Sequence, residues 1–173
     1  MSPDTIGKKP RFSNILWTVT GGILGAVLFW SSFTGGQRAY SEAMLPQNPV
    51  TIQHADGSRA NYRMEIAKTP EEQEHGLMFR HHLDAHAGML FLWPADQNVS
   101  MWMKNTLIPL DMLFIAHDGR VVKITANAVP QDLTPLPSGE PIRAVIEIAG
   151  GEAGKQHILV GDKVLYPGLQ LSP

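Results

Sequence analysis

Leu110-Asp111-Met112-Leu113-Phe114-Ile115-Ala116-His117-Asp118-Gly119-Arg120-Val121-Val122-Lys123-Ile124-Thr125-Ala126 decides the fold class. Two largely apolar segments flank His117-Asp118-Gly119-Arg120, and a glycine after aspartate supplies the positive φ that a tight hairpin turn needs. The same signal recurs upstream, where Val50-Thr51-Ile52-Gln53 and Tyr62-Arg63-Met64-Glu65-Ile66 flank Ala55-Asp56-Gly57-Ser58. Between the hairpins, Gly88-Met89-Leu90-Phe91-Leu92-Trp93 reads as a buried strand ending at Pro94, and Met101-Trp102-Met103-Lys104-Asn105 as another. Beyond a loop carrying Pro130, Pro135, Pro137 and Pro141, Ile142 to Ile148 and Lys163 to Tyr166 add two more strands. One helix start is complete. Thr69 caps, Pro70 suits the first helical position and Glu72 closes a capping box, which predicts a helix running to about Arg80. Short strands, turn signals and one short helix predict a mainly β domain, a small β-barrel or jelly-roll-like sandwich.

The N-terminus differs in kind. Lys8, Lys9 and Arg11 precede an uncharged run from Ile15 to Phe33. As a helix this run spans roughly 28 Å at about 1.5 Å per residue, close to a hydrocarbon core of about 30 Å. The basic flank places residues 1–14 in the cytoplasm and everything after Phe33 outside. The run reads as an uncleaved anchor over residues 15–33, since a cleaved signal core is usually shorter. Cleavage near Thr34-Gly35-Gly36 or Ser41-Glu42-Ala43, giving a secreted protein, is the alternative. Residues 34–48 read as a linker and 49–173 as the exported β domain.

Composition removes several functions. The formal charge is −2, from 14 basic and 16 acidic residues, so net charge gives no polyanion-binding surface and nucleic acid is not an expected partner. The chain has no cysteine, which excludes disulfides, thiolate catalysis and Cys-ligated metal. No phosphate-binding glycine loop or HExxH arrangement occurs, and no cofactor is expected. Ser100, His117, Asp118 and Glu147 have no spacing that links nucleophile to base.

Three segments carry a resemblance. They are Gly76-Leu77-Met78-Phe79-Arg80, Gly88-Met89-Leu90-Phe91 and the long run from Met101 through Trp102-Met103-Lys104-Asn105-Thr106 to Ile115. With Val145-Ile146-Glu147-Ile148-Ala149-Gly150-Gly151 and Gly161-Asp162, the chain resembles the bacterial DUF192 (UPF0127) family over roughly residues 50–167. It departs from the pattern at Ala116, where the family usually has aspartate, and in the His-rich stretch after Arg80. The resemblance implies a small β-barrel or jelly-roll-like fold and frequent export. It implies no activity.

The candidate ligand-binding set is Arg80, Trp102, Lys104, Asn105, Thr106, Asp111 and Glu147. Alternation along a strand puts Trp102 with Lys104, and Met101, Met103 and Asn105 on the other side. Lys104, Asn105 and Thr106 supply donors for a small anionic ligand, and Arg80 a bidentate carboxylate contact. The structural reading of the same residues pairs Arg80 with Asp111 or Glu147 and leaves Asn105-Thr106 shaping a turn. Met101 and Met103 around Trp102 are candidate soft ligands for copper, although methionine is also an ordinary core filler. His81-His82-Leu83-Asp84-Ala85-His86 has metal-like spacing but reads as a solvated loop. The combined expectation is a membrane-tethered binding or accessory module rather than an enzyme. Its alternatives are a subunit held in a membrane-protein complex by Ile15 to Phe33, and an envelope-acting enzyme with Glu147 or Asp111 as acid/base.

Overall fold

Both Asp-Gly turns close hairpins in the computed structural model, which describes residues 44–169. Gly57 and Gly119 each have φ +84°. Asp56 Oδ1 accepts the Ser58 N–H at 2.9 Å, and Asp118 Oδ1 accepts the Arg120 N–H at 3.0 Å. The first turn joins β1 (Gln47–Gln53) to β2 (Arg59–Ala67). After α1 (Pro70–His75) come β3 (Ala87–Gln97) and β4 (Ser100–Met101). The second turn joins β5 (Leu110–Ile115) to β6 (Val121–Ala128). β7 (Leu136–Pro137), β8 (Ile142–Ala149), α2 (Glu152–Lys155) and β9 (Lys163–Leu165) follow, with a 3-10 turn at Pro167–Leu169.

The fold is mainly β with few short helices: one seven-stranded sheet in the order β6-β5-β8-β3-β2-β1-β9, plus the ribbon β4-β7. β2 and β3 are parallel, which requires the crossover that α1 provides. The sheet curls into a half-barrel until its two edges meet at one corner. There the Val121 N–H donates to Asp162 O at 2.9 Å and the Val164 N–H to Gly119 O at 2.8 Å. A Cβ on Gly119 would stand 2.7 Å from Val164 O, so this corner needs glycine for space as well as for φ. Asp162 locks the same corner, accepting from Leu159 N at 2.9 Å and contacting His54 Nδ1 at 2.8 Å.

Strand alternation sorts the core into two faces. Leu90, Leu113, Ile115, Ile146 and Ile148 pack on one with Val50, Ile52 and Val164. Met89, Phe91, Met112, Phe114 and Val145 pack on the other, under Leu77, Val99, Met101 and Met103. Glu147 follows Val145 by two residues on β8, so it belongs to this second face. Its neighbours across the sheet are Met89 and Met112.

Five local expectations are corrected. α1 keeps its capping box and Pro70 but stops at His75, because Gly76 leaves the helix at φ 49°, where a Cβ would stand 3.2 Å from the Phe91 ring. Of Met101 to Asn105 only Met101 is in a strand. The Met103 N–H bonds to Asp132 O, and Asn105 is in a turn at φ 55°. β3 continues through Pro94, which falls where the pairing with β8 shifts between Leu92 and Gln97 and no N–H is required. A second short helix, α2, joins the one expected. β1 also starts at Gln47, inside the segment read as linker. The basic flank, the Ile15 to Phe33 run and residues 34–43 lie outside the described residues. Among the described residues no helix is long and apolar enough to cross a membrane.

Candidate functional site

The seven candidate residues separate into three places. Arg80 is 8% exposed and committed to an ion pair, its Nη1 and Nη2 donating to the Glu65 carboxylate at 2.5 and 2.8 Å. Its partner is Glu65, not Asp111 or Glu147. Asp111 faces the side of the sheet opposite Glu147, with Leu113 and Ile115. Its oxygens accept three backbone N–H groups: Asn127 at 2.7 Å, Gly151 at 3.0 Å and Ala153 at 2.8 Å. Of the remaining five, Trp102, Lys104, Thr106 and Glu147 converge.

Trp102, Lys104, Thr106 and Glu147 line one pocket of about 270 Å³. Its walls are apolar (Leu77, Phe91, Val99 and Met101), and the last turn of α1 contributes Gln73, Glu74 and His75. Glu147 is 4% exposed, and no hydrogen bond or ion pair among the described residues engages its carboxyl. Burial alone pushes that carboxyl up to about 8 from 4.5. At neutral pH it is largely a protonated, hydrogen-bond-donating acid. Trp102 is exposed at the rim, and Lys104 Nζ stands 4.8 Å from its ring centroid, a cation–π pair that matches the shared side expected of them. Thr106 is buried and its hydroxyl donates to Lys104 O at 3.3 Å. Asn105 is exposed, apart from Met101 and Met103, with its amide donating to Met78 Sδ at 3.7 Å. Met101 lines the pocket, whereas Met103 is fully buried in the core and does not.

Three residues adjoining the pocket-lining segments, though not lining the pocket themselves, have uncommon backbone conformations. Phe79, Asn105 and Gln131 have φ 63°, 55° and 60°. Asparagine tolerates the left-handed region, but for phenylalanine it is a strained conformation. The Phe79 N–H bonds to Asn105 O at 2.8 Å, and the Gln131 N–H bonds to the next residue, at Thr106 O, at 3.1 Å. Such strain persists where surrounding structure over-determines it, and it concentrates at ligand sites.

Glu65 and the α1 residues Gln73 to His75 were not among the sequence candidates. The α1 contribution had a signal, since the capping box fixes where the helix begins and so which turn reaches the sheet. Glu65 had none, because its burial depends on the parallel neighbour β3 and the return of Arg80.

A curled β sheet with a buried, unpaired carboxyl beneath a loop-rimmed pocket is the class of domain these observations define. The chain belongs to the DUF192 family, whose model, described as "Uncharacterized ACR, COG1430", matches residues 51–166. A crystal structure from Novosphingobium aromaticivorans DSM 12444, described as a protein of unknown function, is 46% identical with a TM-score of 0.69. It aligns over 73% of this chain and 90% of that one. A crystal structure from Sinorhizobium meliloti 1021, provisionally described as a transcription regulator, is 37% identical with a TM-score of 0.70. There the alignment covers 72% of this chain and 96% of the other. No curated protein matches the chain.

Proposed function

We propose that this domain is a non-catalytic binding module whose ligand enters the pocket over Glu147, and that residues 15–33 tether it to the outer face of the cytoplasmic membrane. One observation carries the binding role: a carboxyl on a 4% exposed residue that lines an open pocket and that no protein group among the described residues engages. A group that only held the fold would have its oxygens satisfied, as those of Asp111 are. The regulator description of the Sinorhizobium protein is not carried over, since a net charge of −2 offers no general attraction for nucleic acid. Acid/base chemistry through Asp111 is not carried over either, because backbone donors occupy both its oxygens.

A carboxyl kept for a ligand burdens the free protein, so Glu147→Leu is expected to raise the melting temperature at pH 8. The pH profile has a definite sign. The folded pKa is about 8 and the ordinary one 4.5, so between those values the folded state holds the extra proton. The stability contributed by this proton is complete below pH 4.5 and is lost as pH rises to 8, at a slope of up to about 1.4 kcal/mol per pH unit. Glu147→Leu should flatten that slope. A lower melting temperature at pH 8 would make Glu147 an architectural residue and end the binding reading.

The tether has its own test. A reporter fused after Pro173 should be active if it functions only outside the cytoplasm and silent if it functions only inside. The reverse pattern would remove the exported location.

A further inference from the structure

We infer that the ligand of this pocket is a small organic ammonium ion, an amine with an apolar body, whose charged head meets the Glu147 carboxylate. The inference rests on the reading of the pocket as a binding site and adds the chemical class.

The geometry selects charge and shape together. The walls Leu77, Phe91, Val99 and Met101 present carbon and thioether surface, which suits an apolar body and offers no hydrogen bonds. Glu147 as a residue is 4% exposed, and its carboxyl lines the pocket without engaging a donor among the described residues. A positively charged N–H donor is the group that gains most there, because it makes a charge-assisted hydrogen bond in a poorly solvated site. The pocket's own ammonium does not fill this role. Lys104 Nζ stands over the Trp102 face, and burial is the sole cause of the Glu147 shift, so no neighbouring cation offsets it.

The mouth has the same preference. Glu71 and Glu74 of α1 border the adjoining recess with His75 and Lys104, setting two carboxylates against one ammonium. The groups facing Glu147 from the packed elements are then few. β3 and β5 place uncharged Met89 and Met112 beside it, α1 adds Glu74 and His75, and the turn after β4 adds Lys104. An anionic ligand would require Glu147 to keep its proton, with Lys104 as the ammonium and Gln73, His75 and Thr106 as further donors, and would lose its hold as that proton leaves. The small anion expected from the Lys104-Asn105-Thr106 sequence is therefore the competing case, and the test includes it.

Binding exchanges one proton. In the free protein near neutral pH the Glu147 oxygen carries hydrogen. On binding, that O–H bond breaks, the proton leaves to solvent, and the carboxylate accepts an N–H of the ammonium. No other bond changes. Affinity is consequently lower where the proton must be displaced and constant where it is already gone.

The experiment is a ligand-observed NMR titration of the full chain in detergent micelles with benzylamine, benzyl alcohol and benzoate, three probes of one shape and different charge. Benzylamine should bind, tightening by about tenfold per pH unit from pH 6 toward 8 and levelling off above. Glu147→Gln should weaken it about tenfold or more at pH 8 and abolish the pH dependence. The pH profile of the unaltered chain needs no variant, so the proposal stays testable if Glu147→Gln misfolds. Benzyl alcohol or benzoate binding as well as benzylamine, or a flat pH profile, overturns the ammonium class. Binding of benzyl alcohol alone would do so while leaving the pocket a binding site. Silence of all three overturns it as well, and the Glu147→Leu melting experiment then judges the pocket separately. A lysine side chain carries the same chemistry, so Nα-acetyl-lysine methylamide is the fourth arm. Weaker binding than benzylamine supports a free small amine, and tighter binding overturns it in favour of a polypeptide lysine.

Discussion

Replacing Arg80 with methionine is expected to destabilise the domain by about 3–5 kcal/mol, the usual cost of removing one member of a buried ion pair. Arg80 and Glu65 are 8% and 1% exposed, and the guanidinium reaches both carboxylate oxygens. Glu65 Oε2 also accepts the Leu45 N–H at 2.6 Å, so the pair joins β2, the segment after α1 and the chain entering β1. Without Arg80, Glu65 retains that one donor and a charge cut off from water. Glu65→Met strands the guanidinium instead. Arg80→Met combined with Glu65→Met should recover most of the loss, because neither charge is then left alone, and the two changes should be strongly non-additive. Denaturant unfolding of the four proteins measures this directly. A loss below about 1 kcal/mol for Arg80→Met, far under the buried-pair range, would show that the pair is dispensable and return Arg80 to the ligand candidates.

The contrast between Arg80 and Glu147 shows which features a sequence displays. The Asp-Gly hairpins and the Thr69-Pro70-Glu71-Glu72 start are legible because a few adjacent residues determine each of them. The alternation that separates Phe91 from Leu90 and Phe114 from Leu113 is legible for the same reason. Arg80 is recognisable as a residue that needs a carboxylate, but which carboxylate it meets follows from β2 and β3 lying parallel. That register joins residues more than 20 positions apart. The Trp102-to-Thr106 segment misleads in a specific way. Its alternation of apolar and polar residues is that of a strand, and Trp102 does share a side with Lys104. No neighbouring chain pairs with it beyond Met101, however, and its amides bond to Asp132 O and Met103 O. Glu147 is visible in the sequence as one acid within Val145-Ile146-Glu147-Ile148. What cannot be read there is that β3 and β5 flank it with methionines and that the 102–106 loop stops short of covering it.

Asp111 makes the complementary case, since it is an equally buried acid on the neighbouring strand with the opposite fate. Asp111→Ala is expected to cost about 3–5 kcal/mol, from one buried N–H donor left without an acceptor at about 1–3 kcal/mol and two part-buried ones at about 1 kcal/mol each. Those donors help to fix two local features. Asn127 has φ 51° next to the irregular β5–β6 pairing, and its N–H bonds to Asp111 Oδ1. α2 begins at Gly151, which has no side chain to cap the helix, so the Asp111 carboxylate takes the Gly151 and Ala153 N–H groups in its place. Asp111→Asn keeps the shape and one acceptor oxygen, which can serve Asn127 and Gly151. It turns an NH₂ group toward the Ala153 N–H. The expected loss is intermediate, about 2–3 kcal/mol, for one donor unmet and one repulsive contact. Chemical denaturation should therefore rank the chains native, Asn, Ala in falling stability. The fraction that remains folded should bind benzylamine as the native chain does, because Asp111 faces away from the pocket. If Asp111→Asn were as stable as the native chain and lost binding, the order of roles would be inverted. Asp111 would then belong to the ligand, and the assignment of its charged head to Glu147 would fall.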